Sequence, residues 1–291
     1  MLRSVTWIPD GMAKVHFGRG PIFFFNKLYD RVSGERETTK APRQDGTTTD
    51  HTSLSGRSIT LTGQMLSTGD RRTSARVVRD GSRVYLGDAF LPGRWGTLIY
   101  HTNAGNKQIR CQTVGNPTIT EETPTLADIS IDFESDAAFW EGETIQRGTV
   151  GGATKLFRFI WSPRKKPYGV YSRWYRAFNN CAHLVWPLIE IFTAMETVIL
   201  TNKTTGQTMT INVEIKDGQK LVVDMFEMHA VLWDLDEDGA YIEGEDVSHW
   251  ISLDSEAWGL VPGHNELAID NDRNVETPIV TILHRELFGG V

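Results

Sequence analysis

The run Asp234-Leu235-Asp236-Glu237-Asp238-Gly239, with Glu245 six residues further on, has the D-x-[DN]-x-[DN]-G-x₅-E spacing of a calcium loop. Carboxylates at alternating positions, a glycine for the sharp turn and a closing bidentate glutamate are what a hard cation asks of a loop. The flanks 230–233 and 247–253 read as strands, whereas such a loop sits between helices. Two readings therefore stand, a calcium loop or an acidic hairpin tip kept in solution by its charges. Elsewhere the chemistry is sparse: no G-x-S-x-G elbow, phosphate-binding loop, H-E-x-x-H or C-x-x-C occurs. Cys111 and Cys181 are far apart, and Cys111 falls in an apolar strand, as a structural thiol does. The histidines at 16, 51, 101, 183, 229, 249, 264 and 284 have no pair at ligand spacing. No catalytic, cofactor or metal set is assigned, and no enzymatic activity is expected.

Three weaker signals have simpler explanations. Asn202-Lys203-Thr204 is a glycosylation sequon, but Met1–Trp7 carries no secretory signal, so no route to glycosylation is expected. Arg71, Arg72, Arg76, Arg79 and Arg83 could touch nucleic acid, yet no aromatic residues interleave them, which favours a solvated helix face or a salt-linked subunit contact. Nine tryptophans, Trp161, Trp174 and Trp186 among them, could stack on sugars; large aromatics more often anchor cores and interfaces.

The elements that would position these residues are mostly strands. Ser4–Ile8 and Ile22–Phe25 are short apolar runs between Gly/Pro breaks. Ser33–Ser58 is a long polar stretch, read as a projecting arm or extended loop. Ser58–Met65 alternates with period two, as does Asp128–Phe133. One helix is expected after Ser67-Thr68-Gly69-Asp70, with Asp70 as its cap, carrying Val78, Ser82, Tyr85, Leu86 and Ala89 on one side and closing at Pro92-Gly93. The second half runs as β-branched segments, 197–201, 207–214, 220–226 and 230–235, broken at Thr205-Gly206 and Asp217-Gly218, the pattern of antiparallel meanders.

At 291 residues the chain suits two ordinary domains. The break is placed at 144–153, around Val150-Gly151-Gly152-Ala153, giving domains 1–143 and 154–291. The longest apolar stretch, Leu184–Met195, is interrupted by Pro187 and Glu190 and falls short of a membrane span. Charge divides unevenly: 17 Lys/Arg against 9 Asp/Glu over 1–110, then 13 against 28 over 111–291. Such a split points to contacts between copies or with partners of opposite sign.

In order along the chain, several segments resemble the distal tail proteins of long, flexible-tailed phages. They are Arg57-Ser58-Ile59-Thr60-Leu61-Thr62-Gly63 after the polar arm; Leu91-Pro92-Gly93-Arg94-Trp95-Gly96-Thr97-Leu98-Ile99-Tyr100; Ile129–Phe133 through Phe139-Trp140-Glu141-Gly142; Asn179–Ile189; Leu200–Gln207; Leu221–Asp224; and Leu260-Val261-Pro262-Gly263-His264-Asn265-Glu266-Leu267. The acidic segment 234–246 departs from the family's shorter hairpin. The resemblance implies a mainly β protein: an N-terminal β-sandwich with one helix and a projecting hairpin arm, then a C-terminal galectin-like β-sandwich. It further implies a ring of six copies in the virion, joining the major tail tube protein to the tail-tip hub or baseplate, with receptor-binding or fibre proteins as further partners. DNA would only pass through the channel, and the role would be structural, with no cofactor, after synthesis in the host cytoplasm. The alternative reading is a carbohydrate-binding host-adhesion module.

Overall fold

The computed structural model describes residues 3–18, 23–39, 48–67, 75–123, 125–150, 154–157, 168–170, 174–236, 238–271 and 279–291. The chain forms two compact units, one of residues 1–143 with 288–291 and one of residues 144–287.

The first unit contains β1 (Ser4–Pro9), β2 (Val15–Phe17), β3 (Phe23–Thr39), β4 (Thr48–Leu66), helix α1 (Ala75–Ala89), β5 (Trp95–His101), β6 (Lys107–Thr113), β7 (Thr118–Glu121), β8 (Leu126–Ser135) and β9 (Trp140–Gly142). These pair in the order β2-β1-β5-β6-β8-β4-β3. Gly18 bridges Phe24, with Gly18 N–H donating to Phe23 O and Phe25 N–H to Gly18 O at 3.2 Å each, so the two edges of the sheet meet and the sheet rolls around its core. Period-two alternation decides what faces inward. On β8, Ala127, Ile129, Ile131 and Phe133 are buried, while Asp128, Ser130, Asp132 and Glu134 face out.

Helix α1 closes the core with Leu86 and Ala89, followed by Phe90, against Trp7, Phe17 and Phe133. The Trp7 indole N–H donates to Ala89 O at 3.1 Å, tying β1 to the helix end. Gly81 and Gly87 lie inside α1 and each costs about 1 kcal/mol relative to alanine, so packing and not propensity holds this helix. The cap expected at Asp70 lies outside the described residues.

The second unit contains β10 (Gln146–Val150), β11 (Thr154–Phe157), β12 (Tyr168–Val170), β13 (Trp174–Asn179), β14 (Leu188–Ile191), β15 (Val198–Asn202), β16 (Gln207–Ile211), β17 (Gln219–Asp224), β18 (His229–Leu235), β19 (Tyr241–Asp246), β20 (Gly263–Asn271) and β21 (Val280–His284). Two antiparallel sheets, β10-β21-β14-β17-β18-β19 and β13-β20-β15-β16, enclose one apolar core, the sandwich that the family resemblance implies. Buried asparagines clasp its loops. Asn265 Nδ2 donates to Val261 O and Gly263 O while its Oδ1 accepts from Val261 N–H, so the Leu260–Asn265 turn is held from within. β22 (Leu287–Phe288) then pairs with β9, returning the chain to the first unit.

Two local expectations change. Within the stretch read as a linker, Gln146–Val150 is a strand in register with β21, its backbone satisfied by Val280–His284. The segment 247–253, read as a strand, begins with a single 3₁₀ turn over Ser248–Trp250. Asp246 Oδ1 accepts both Ser248 N–H at 2.9 Å and Ser248 Oγ–H at 2.6 Å, a side-chain turn that outcompetes the ladder.

Candidate assembly interface

Within the polar stretch 33–58, residues 33–39 and 48–58 form a two-stranded ribbon. β3 and β4 pair antiparallel from Phe23↔Met65 out to Thr39↔Thr48, with the register shifting at three bulges. Threonines at 38, 39, 48, 49 and 52 suit an extended backbone, which is why a segment with almost no apolar residues still forms strands. β8 accompanies β4 only from Leu66 back to Arg57, so beyond Val32 and Arg57 the ribbon leaves the sheet with both edges unpaired among the described residues. The departure point is built for a bend. One extra residue of β4 is accommodated between the Val32↔Arg57 and Gly34↔Leu54 pairs, Ser55 Oγ–H donates to Ser33 O, and a side chain at Gly56 would collide with the Ser135 carbonyl.

The base of this arm is locked by a buried charge. Arg57 shares its inward phase with Ile59 and Leu61, and its side chain is only 1% exposed. Nε donates to Ala138 O at 3.1 Å, Nη2 to Ala138 O at 2.6 Å and to Gly289 O at 2.8 Å, and Nη1 to both oxygens of Asp30 at 2.5 Å. Asp30 also accepts from the fully buried Trp140 indole N–H at 3.1 Å. One guanidinium thereby joins both strands of the ribbon, the β8–β9 connection and the returning chain end. Lys107 reinforces that end, stacking over Phe288 and donating to Gly290 O; burial pushes its pKa down, partly offset by Asp30.

Two rows on the outside of the first unit are complementary in character. The outward face of α1 presents Val77, Asp80, Gly81, Val84 and Asp88. The outward face of β3 presents Lys27, Tyr29 and Arg31, with the Lys27 ammonium over the Tyr29 ring at 4.4 Å. The inner side of α1 is occupied, because Arg79 and Arg83 both pair with Glu121 on β7. That accounts for two of the five clustered arginines as a helix-to-strand link; Arg71, Arg72 and the Arg76 side chain lie outside the described residues. Beside it, the raised Glu122 pKa follows from hydrogen bonding and repulsion with Asp128.

The remaining candidates disperse. β18 and β19 form a hairpin closed by Asp236 N–H to Ala240 O at 2.7 Å, with Gly244 as an extra residue between the Leu232↔Glu245 and Trp233↔Glu243 pairs, so Glu245 lies well up the strand from the Asp234↔Ile242 pair. Asp234 is held by Gln219, and no group of three metal-ligating side chains exists among the described residues. Asn202 of the sequon is fully buried, donating to Gly259 O and accepting from Thr204 N–H. Of the tryptophans read as possible sugar stackers, Trp186 packs partly buried against the second core with its ring 5.7 Å from that of Phe226, Trp161 and the Trp174 side chain lie outside the described residues, and Trp7, Trp140 and Trp258 are core residues.

Burial pushes the Cys111 thiol up to about 12. Both cysteines are buried, so the native protein should take up less than about a tenth of an equivalent of a thiol reagent at pH 8, and two equivalents once unfolded. His284 is buried. Burial lowers its pKa, with the Phe178 backbone and Glu286 pulling weakly the other way. The proton therefore prefers the unfolded chain. Stability from His284 is whole above about pH 6.5 and falls as pH drops below it, by at most about 1.4 kcal/mol per unit. Melting curves at pH 7.5 and 5 should show this loss, and His284→Phe should shrink it.

Sequence reasoning missed the Arg57–Asp30–Trp140 knot. Its signal was present: Leu28, Asp30, Val32 and Arg57, Ile59, Leu61 each put a charge at an inward position of a period-two run.

Comparison with known proteins gives three results. Residues 182–288 match the family described as siphovirus-type tail component, C-terminal domain. No curated protein sequence matches the chain. In fold, the chain is similar to the Dit protein (gp 19.1) of phage SPP1, described as a paradigm of the hub adsorption apparatus in Gram-positive-infecting phages, at 13% identity and TM-score 0.66 over 98% of this chain and 99% of that one. It is also similar to a chain of the phage P2 baseplate in its activated conformation with calcium, at 8% identity and TM-score 0.53 over 100% and 99%. A strontium form of the phage p2 baseplate gives 9% and 0.52 over both full lengths.

Proposed function

Since residues 182–288 belong to the siphovirus-type tail component family, we propose that the chain is a structural part of a phage tail that assembles as a ring of copies between the tail tube and the tail-tip hub or baseplate. In this reading the ring leaves a channel through which DNA passes, and the protein turns over no substrate. The observation that carries it is the arm. A two-stranded ribbon with two free edges is a template for pairing with another chain, and monomeric proteins normally blunt such edges. Here the ribbon is instead fixed at its base by five charge-assisted hydrogen bonds from Arg57, which holds it ready for a neighbour.

The test removes residues 35–56 and closes Gly34 to Arg57 with a short glycine turn. The full chain should sediment as a ring, alone or on tail tubes, and the deletion variant should remain a folded monomer. Unchanged ring formation by the variant would refute the arm's role. Monomers from the full chain under both conditions would refute the ring.

A further inference from the structure

The outward face of α1 is poorly suited to water. Val77 is 61% exposed and Val84 66%, and Leu91 just beyond the helix 51%. Gly81 sits among them with nothing within 4 Å of where its Cβ would be. Solvent positions of a helix favour alanine, glutamate and lysine; valine and glycine there sacrifice helix propensity and expose apolar surface. Asp80 and Asp88 flank the strip on the same face. From Asp80 to Asp88 is eight residues, about 12 Å along a helix, with Val84 midway.

The outward row of β3 has the opposite charges around an aromatic centre. Tyr29 is 46% exposed, between Lys27 and Arg31. Those cations are four residues apart, about 13 Å along a strand. An acid–apolar–acid row and a base–aromatic–base row of the same length match in charge, spacing and centre, and the gap at Gly81 leaves room for a tyrosine ring beside Val84.

We infer that these two faces meet between copies: α1 of one chain lies against the Lys27-Tyr29-Arg31 row of the next. The contact joins two different patches of the same chain, so it is head-to-tail and propagates from copy to copy, as a ring requires. It rests on the ring reading above and supplies a contact that the arm does not.

Single-cysteine substitutions test it, because both native thiols are buried. Val84→Cys and Tyr29→Cys chains are mixed in equal amounts under mild oxidation. A covalent dimer should form in the mixture and in neither variant alone, and the double variant should give a ladder ending at the ring's copy number. A dimer from Val84→Cys alone would mean a symmetric contact and overturn the inference. Absence of cross-linking in the mixture, while the wild type forms rings, would overturn this contact and leave the ring standing. Absence of any wild-type oligomer, alone or on tail tubes, would overturn both.

Charge reversal gives an independent measure. Lys27→Glu with Arg31→Glu should raise the concentration needed for assembly at least about tenfold, with far-ultraviolet circular dichroism unchanged. Adding Asp80→Lys and Asp88→Lys to the same chain should restore assembly, and failure to do so would overturn the pairing.

Discussion

Replacing Arg57 by methionine should destabilise the first unit by about 3–5 kcal/mol, the usual cost of deleting one partner of a buried ion pair. Asp30, whose side chain is 10% exposed, would be left charged and without its guanidinium, and the carbonyls of Ala138 and Gly289 would lose their donor. For a unit of this size the melting temperature should fall by roughly 10 °C. Hydrogen exchange resolves where the damage lies: protection should drop in β3, β4, β8 and β9 and persist across β14, β17 and β18. Pairing the change with Asp30→Leu should recover part of the loss, because the uncompensated carboxylate goes too. Full retention of stability in the single variant would mean that the knot contributes nothing to the arm's anchorage.

Trp7→Ala should cost about as much, at 3–5 kcal/mol for truncating a fully buried tryptophan. The cavity would open between β1, Phe90 and Phe133, where the ring stacks on Phe90 at a centroid distance of 6.0 Å and packs against Phe133 at 5.0 Å. Ala89 O would also lose its donor, so α1, already weakened by two glycines, should lose exchange protection first. Trp7→Phe separates the two effects: it keeps most of the packing and removes the hydrogen bond, and should cost about 1–2 kcal/mol. Equal losses for the two variants in a denaturant titration would show that the hydrogen bond and not the ring carries the effect.

What could be read before any coordinates followed from periodicity. Strands such as 128–133 were visible because one face must be apolar and the other polar, and the α1 helix because Leu86 and Ala89 repeat with its turn. The mainly β architecture and the one helix among the described residues were legible on that basis, whereas the two-sheet form of the second unit was implied by the family resemblance. The arm was legible as an excursion but not as strands, since a ribbon with no buried face has no alternation to betray it. The acidic motif shows the opposite limit. A linear spacing of carboxylates is independent of the backbone path, and the β18–β19 ladder places Glu245 beside Leu232, away from the tip. The knot at Arg57 joins residues 27, 81 and 232 positions away, and no local pattern reports partners at such range.

That separation orders events in time. Arg57 leaves the ribosome 232 residues before Gly289, and at about 5–20 residues per second the interval is roughly 12–46 s. For most of it the second unit is being made, and four of the five Arg57 hydrogen bonds, to Asp30 and Ala138 O, have their partners in place before the fifth, to Gly289 O. Synthesis thus closes the knot in two stages, and its bond to the chain end comes last, once the downstream sandwich has been translated.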